Sequence, residues 1–375
     1  MNTVGYATRL CQGRSRADGC HAQAQLERVF LRHGTRLSKH GQTSLAVPPG
    51  FTVISLPCTL TAVVVGVVLL ISGLATGEER SPKLAFVAND KGEYTFDTGV
   101  LRGTLRQGGK SQGLSSVTYV PTGARLDRSM GLLSYYRVFT AGKRYGVGAW
   151  DWPSTAKLLP DGAVQVTWPE AADRPFEMTA LDRWKDPQPI DVETTVTAHK
   201  DLGKFESFLA CYFTEAFPTP CVYVRESPEM QGKPGFLSAK KTYGDWQMFP
   251  RDEHVVPIIR DGRWDLQPNP VAWTIMPRLA APIGLRRSTP GSLAAIVMAP
   301  PEDCFAVATP YEGESHYSLY LSLFGRDLRA GETAKARTRL VIATGISDEQ
   351  AIAFYQQYTK ELSTKAPSSD VPLAR

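Results

Sequence analysis

Strict alternation of apolar and polar positions dominates this chain. Over residues 190–198, Ile190, Val192, Thr194, Val196 and Ala198 interleave with Asp191, Glu193, Thr195 and Thr197. Successive side chains of a strand point to opposite faces, so this period predicts a strand with one buried side. Tyr317, Leu319, Leu321 and Leu323 form one face of a second strand over 317–324. A third, over 334–343, turns Lys335, Arg337 and Arg339 outward and Ala336, Thr338 and Leu340 inward. Further strands are expected over 132–139, 163–168, 205–214, 272–276, 293–298 and 305–309, with turns at Asp161-Gly162, Asp261-Gly262 and the corner 329–332.

One stretch has helical period. Ser347 with Gln350 three residues on makes a capping box. Ala351, Tyr355, Tyr358 and Leu362 then recur on one face, a stripe able to dock on a sheet. Many strands with almost no helix between them argue against parallel βαβ units. The fold class expected is all-β: a large antiparallel β-sandwich over residues 84–345 with one C-terminal amphipathic helix over 346–362. A polar, Pro-containing tail, 363–375, is expected to be disordered.

Residues 51–75 carry no charge, and their densest apolar part is Ala62 to Leu74. That suits the core of a signal peptide, with Ala75 and Gly77 placed as the small residues before a cleavage point at Glu78. A spanning helix needs about 20 apolar residues, and 51–75 reaches this only by including Pro57, Cys58 and several Ser and Thr; signal peptide or anchor is placed at 51–77. Signal peptide and uncleaved anchor therefore both stand, with membrane contact through 51–75 in the second case. Residues 1–50 are basic, so an anchor would leave the domain outside. Export to the periplasm, envelope or medium is expected on either reading. The arm 1–50 itself reads as disordered or as a mis-chosen start.

Charge changes the picture of partners. The formal net charge of +5 arises within 1–50, where seven basic residues face Asp18 and Glu27, and the rest balances 35 against 35. A neutral domain is a poor match for nucleic acid, which is not expected as a partner. Of six cysteines, Cys211, Cys221 and Cys304 lie in the folded part, in no metal-ligand spacing. A Cys211–Cys221 bridge and buried free thiols both remain open. The chain has no GxGxxG after a strand, P-loop, HExxH, GxSxG or EF-hand loop, so no metal and no cofactor is expected.

Candidate chemistry lies in three places. All seven tryptophans fall between residues 150 and 273, and Trp150-Asp151-Trp152, after the turn Gly146-Val147-Gly148, is the densest group. Two residues apart on a strand, Trp150 and Trp152 would share a face, and flat indoles stack on sugar rings; core packing is the alternative for any single one. Parity puts Glu314, His316, Ser318, Tyr320 and Ser322 on one face of the 317–324 strand. Acid, imidazole, hydroxyl and phenol together suit a polyol, and His316 with Glu314 could exchange protons with it. A plain solvated face would look the same. Parity also joins Tyr135 and Arg137 with Leu133 and Phe139, and a guanidinium on such a face needs an anionic partner from the protein or a ligand. Arg144 follows shortly after. Glu215, in phase with Leu209 and Phe213, is the corresponding acid.

The sheet-rich layout, the aromatic middle and the ending HYSLYLSLFGRDLRAGETAKARTRLVIA resemble the galactose-mutarotase-like β-supersandwich. The resemblance spans about residues 84–345, closing on a long strand, an "aGe" turn and a final strand. It implies a sugar site in which histidines and a late glutamate contact the ligand, a region matched here by His316 and Glu314. The early Asn-Arg segment and histidine pair of mutarotases have no counterpart, so epimerisation is not implied. The reading is an exported carbohydrate-binding or carbohydrate-active protein with a Trp-lined groove. A non-catalytic envelope or interaction protein is the first alternative. A polysaccharide lyase, with Arg137 or Arg144 neutralising a uronate, is the second.

Overall fold

The computed structural model describes residues 84–110, 112–288 and 293–365. The basic arm, the apolar segment 51–77 and the tail beyond Lys365 lie outside the described residues.

The strands assemble into three sheets. The nine-stranded sheet runs Gly235–Ser238, Thr219–Val224, Leu279–Arg287, Leu293–Met298, Thr333–Thr344, Pro189–Ala198, Phe176–Trp184, Val164–Trp168, Thr155–Leu158. The seven-stranded sheet runs Thr274–Ile275, Trp246–Pro250, Cys304–Pro310, Ser318–Leu328, Leu202–Tyr212, Ser134–Thr140, Lys143–Arg144. Strands Val87–Ala88 to Ala124–Arg125 form a five-stranded sheet in sequence order. Pairing is antiparallel throughout these sheets except where Gln247 and Met248 run parallel to Thr274 and Ile275. This is the all-β antiparallel sandwich expected from the alternation.

The alternation has a direct physical outcome. Along Pro189–Ala198 every second side chain is buried, and Ile190, Val192 and Val196 enter one core with Leu319, Leu321 and Leu323 of the seven-stranded sheet. Each such fully buried side chain contributes roughly 1.5–3 kcal/mol of transfer free energy. The five-stranded sheet joins the same core, with Phe96 set 4.8 Å from the Trp184 ring.

The outer face of the nine-stranded sheet is covered by the helix Asp348–Lys365, which continues past the expected end at Leu362. Its capping box forms as predicted: the Ser347 N–H donates to Gln350 Oε1 at 2.7 Å and the Gln350 N–H donates to Ser347 Oγ at 3.2 Å. Ala351 and Tyr358 bury against Ile283, Ile296, Met298 and Val341, with Tyr355 and Leu362 alongside. Arg339, expected to face solvent, is covered by this helix and paired with both Asp191 (2.6 Å) and Glu361 (2.7 Å). The cysteines resolve equally clearly. Cys211 faces the central core while Cys221 lies under the helix, on opposite sides of the nine-stranded sheet, and both are free buried thiols, as is Cys304.

Candidate functional site

The seven-stranded sheet buries apolar side chains on its outer face as well as its inner one. Phe139, Phe208, Ala210, Tyr212, Met248, Ala306, Ala308 and Tyr320 project from it. The irregular segment 253–273 crosses this face and lays Val255, Ile258, Ile259 and Trp264 onto it. Arg263 fixes the segment. Its Nη1 donates to Glu206 Oε2 at 2.8 Å, and it grips Asp261 through Nε (3.0 Å) and Nη2 (2.8 Å). Glu206 and Arg263 are fully buried, and a buried charge is tolerable only when paired in this way.

Beside Trp264 the cover thins. Trp273, Trp246 and Tyr136 are half-buried, and His316 is exposed. Seven rings form a closed circuit here. Phe208 stacks on Tyr320 at 4.7 Å, and Tyr320 meets Tyr212 at 5.8 Å. Tyr212 meets His316 at 6.4 Å, and His316 meets Trp246 at 5.6 Å. Trp246 meets Trp273 (5.8 Å), Trp273 meets Trp264 (5.2 Å), and Trp264 returns to Phe208 (4.8 Å). Such edge-to-face and offset contacts are the favoured aromatic geometries and hold the rings in place.

His316 is oriented by Glu314, whose Oε1 lies 2.7 Å from Nδ1 while Oε2 accepts the His316 backbone N–H at 2.8 Å. Burial opposes ionisation of Glu314, but these two hydrogen bonds outweigh it and hold its carboxyl below the ordinary glutamate value. The pair is therefore a carboxylate with an accessible imidazole, the arrangement needed to move a proton to or from a ligand hydroxyl. Below it, Ser318 Oγ donates to the Tyr320 hydroxyl at 2.7 Å. Burial pushes the Tyr320 and Tyr212 phenols up, the latter also through neighbouring Tyr320 and Tyr136. They act as neutral hydrogen-bonding groups, not bases.

Of the residues singled out from sequence, His316, Glu314 and Tyr320 come together, and their face is not the plain solvated one of the alternative reading but an aromatic floor with Ser318 and Ser322 buried in it. Arg137 shares this outer face with Phe139. Tyr135 does not. A bulge opposite Phe208 and Leu209 inserts an extra residue at Tyr136, which reverses parity. Tyr135 therefore points into the central core, its hydroxyl 2.6 Å from Thr194 Oγ1.

The Trp150/Trp152 pair also separates. Residues Ala149–Asp151 form a 3-10 turn, not a strand, so the two indoles diverge. Trp150 stacks on Tyr136 at 4.7 Å, tilted by 9°. Gly148 permits this, since a Cβ there would lie 2.8 Å from both the Tyr136 carbonyl and the Trp150 ring. Trp152 packs in the central core near Phe176, with the Arg174 guanidinium 4.4 Å above it. Glu215 sits exposed on the turn after Leu202–Tyr212, because that strand ends before the acid is reached. Trp246, Trp273, Tyr212 and Tyr136, not singled out from sequence, take the places expected of Trp150 and Trp152. The alternation Trp246-x-Met248 was the available signal.

No family model matches this chain, and no curated protein matches it. Solved structures do. A galactose mutarotase related enzyme from Lactobacillus acidophilus overlaps with a TM-score of 0.41 at 9% identity, covering 68% of this chain and 99% of that one. An α-N-acetylgalactosaminidase from Bifidobacterium bifidum overlaps at 0.46 and 10% identity, over 72% of this chain and 39% of that one. A heparan sulfate lyase from Pedobacter heparinus gives 0.39 and 8%, over 71% and 37%. What the chain shares with the galactose mutarotase related enzyme is a fold-level resemblance.

Proposed function

We propose that this domain binds a carbohydrate on the outer face of its seven-stranded sheet and that the chain is exported. The observation that carries the first part is the half-buried Trp246 ring standing 5.6 Å from His316, which is itself held by Glu314. An indole face beside a carboxylate and an imidazole offers what a pyranose needs: an apolar plane for its C–H face and hydrogen-bonding groups for its hydroxyls. The Trp-lined groove of this proposal is built from Trp246 and Trp273, with Trp150 reaching it through Tyr136. His316 is its proton-transfer group and Glu314 orients it. Export is supported by the uncharged segment 51–75 behind a basic arm, with the small residues Ala75 and Gly77 at its end. A glycan-array screen of the purified protein, repeated with Trp246→Ala, tests the binding site. An envelope protein that presents its surface to protein partners would bind no glycan in that screen.

A further inference from the structure

Buried arginines in this domain are otherwise paired with carboxylates or, like Arg286, hydrogen-bonded through every nitrogen, here to the Phe217, Ser318 and Pro218 carbonyls. Arg263 has Glu206 and Asp261, and Arg339 has Asp191 and Glu361. Arg137 and Arg144 break the pattern. Arg137 is 2% exposed, yet among the described residues its guanidinium meets no carboxylate. Its Nη2 donates to the Asn269 carbonyl at 2.6 Å and to the Tyr136 hydroxyl at 3.1 Å, while Nε and Nη1 make no hydrogen bond. Arg144 lies half-buried beside it and donates to the carbonyls of Leu266, Pro268 and Val147, with Nε again unbonded. Burial and the neighbouring Arg137 both press the Arg144 guanidinium towards its neutral form, lowering its pKa. The Tyr136 ring lies 4.7 Å from Arg137 and 5.9 Å from Arg144. Ring faces and carbonyl dipoles offset part of the cost of holding two like charges here, but a buried guanidinium with two idle nitrogens remains expensive.

We infer that Arg137 and Arg144 form an anion subsite of the proposed sugar groove, and that the ligand is an acidic sugar whose uronate carboxylate lies between the two guanidinium forks. This rests on the carbohydrate reading above and narrows it. A planar carboxylate accepts two parallel N–H bonds from such a fork, which ammonium groups cannot supply. The carbonyls of Leu266, Pro268 and Asn269 now occupy part of that donor set. Trp264 ties the subsite to the groove: the Arg137 guanidinium lies 5.3 Å from its ring, which continues the circuit through Trp273 to Trp246.

The test is calorimetric titration of the full chain with a uronate-containing oligosaccharide and with the same oligosaccharide after reduction of its carboxylates to hydroxymethyl groups. Wild type should bind the acidic form at least tenfold more tightly, the size of one charge-assisted hydrogen bond of about 1.5 kcal/mol. Arg144→Gln and Arg137→Gln should each remove that preference while binding of the reduced form persists, which also certifies their folding. Should Arg137→Gln fail to fold, the half-buried Arg144 alone decides. Equal affinity for the two forms, or a preference unmoved by Arg144→Gln, overturns the anion subsite and leaves the neutral-sugar groove standing. Failure of wild type to bind either form overturns the groove itself.

Discussion

Glu314 holds His316 by two atoms at once: Oε1 lies 2.7 Å from the ring Nδ1 and Oε2 accepts the backbone N–H at 2.8 Å. Because these bonds lower the Glu314 pKa in the folded state, they add stability above the ordinary glutamate pKa, and it is lost as pH falls through the lowered value. The folded protein should therefore lose more thermal stability between pH 5 and pH 3 than Glu314→Gln does, by a small margin suited to a partly exposed pair. Melting both proteins across that range checks it; parallel curves would show that the pair does not form.

Asp182 presents the opposite sign. It is buried on the inner face of Phe176–Trp184, and desolvation pushes its pKa up to about 8. The unfolded chain releases this proton near pH 4 and the folded chain holds it, so stability should decline as pH rises from about 4 to 8. Asp182→Asn keeps the shape without the charge. Its melting temperature should exceed that of wild type at pH 8, with the gap closing towards pH 4.

The alternation along 190–198 and 317–324, and the Ser347–Gln350 cap, were legible because each is a local pattern with one structural solution. The sandwich and its helix followed from them. Three features of the site were not legible. The bulge at Tyr136 is one added residue, invisible to a parity count yet sufficient to send Tyr135 inward while Arg137 stays out. The 3-10 turn at Ala149–Asp151 separates Trp150 from Trp152, because residues two apart share a face only within a strand. The segment 253–273 has no period at all, since it follows the shape of a sheet face rather than a ladder. The contact of Trp264 and Trp273 with Phe208, and the partnership of Arg263 with Glu206 across 57 residues, are tertiary facts without local trace.

That last pair anchors the cover of the site. Arg263→Met leaves Glu206 buried without its counter-ion, although burial already raises the Glu206 pKa and allows it to take up a proton. Loss of about 3–5 kcal/mol is expected in urea unfolding at pH 7, as when one partner of a buried pair is removed. The double variant Glu206→Gln/Arg263→Met should recover part of that loss.

Export has its own test. N-terminal sequencing of the envelope-associated or secreted protein should give a chain beginning near Glu78. An intact N-terminus at Met1 on protein recovered from the cytoplasm would contradict both forms of the export proposal.

The aromatic circuit around His316 is tested as a sugar site by the affinity of Trp246→Ala for whichever glycan wild type selects from an array. Stacking of one ring on an indole is expected to be worth about 1–3 kcal/mol, by comparison with base–aromatic stacking. Binding should therefore weaken about 5- to 150-fold while the melting temperature changes little, Trp246 being half-buried. Unchanged affinity in Trp246→Ala, or a wild-type protein that selects no glycan, would contradict the account.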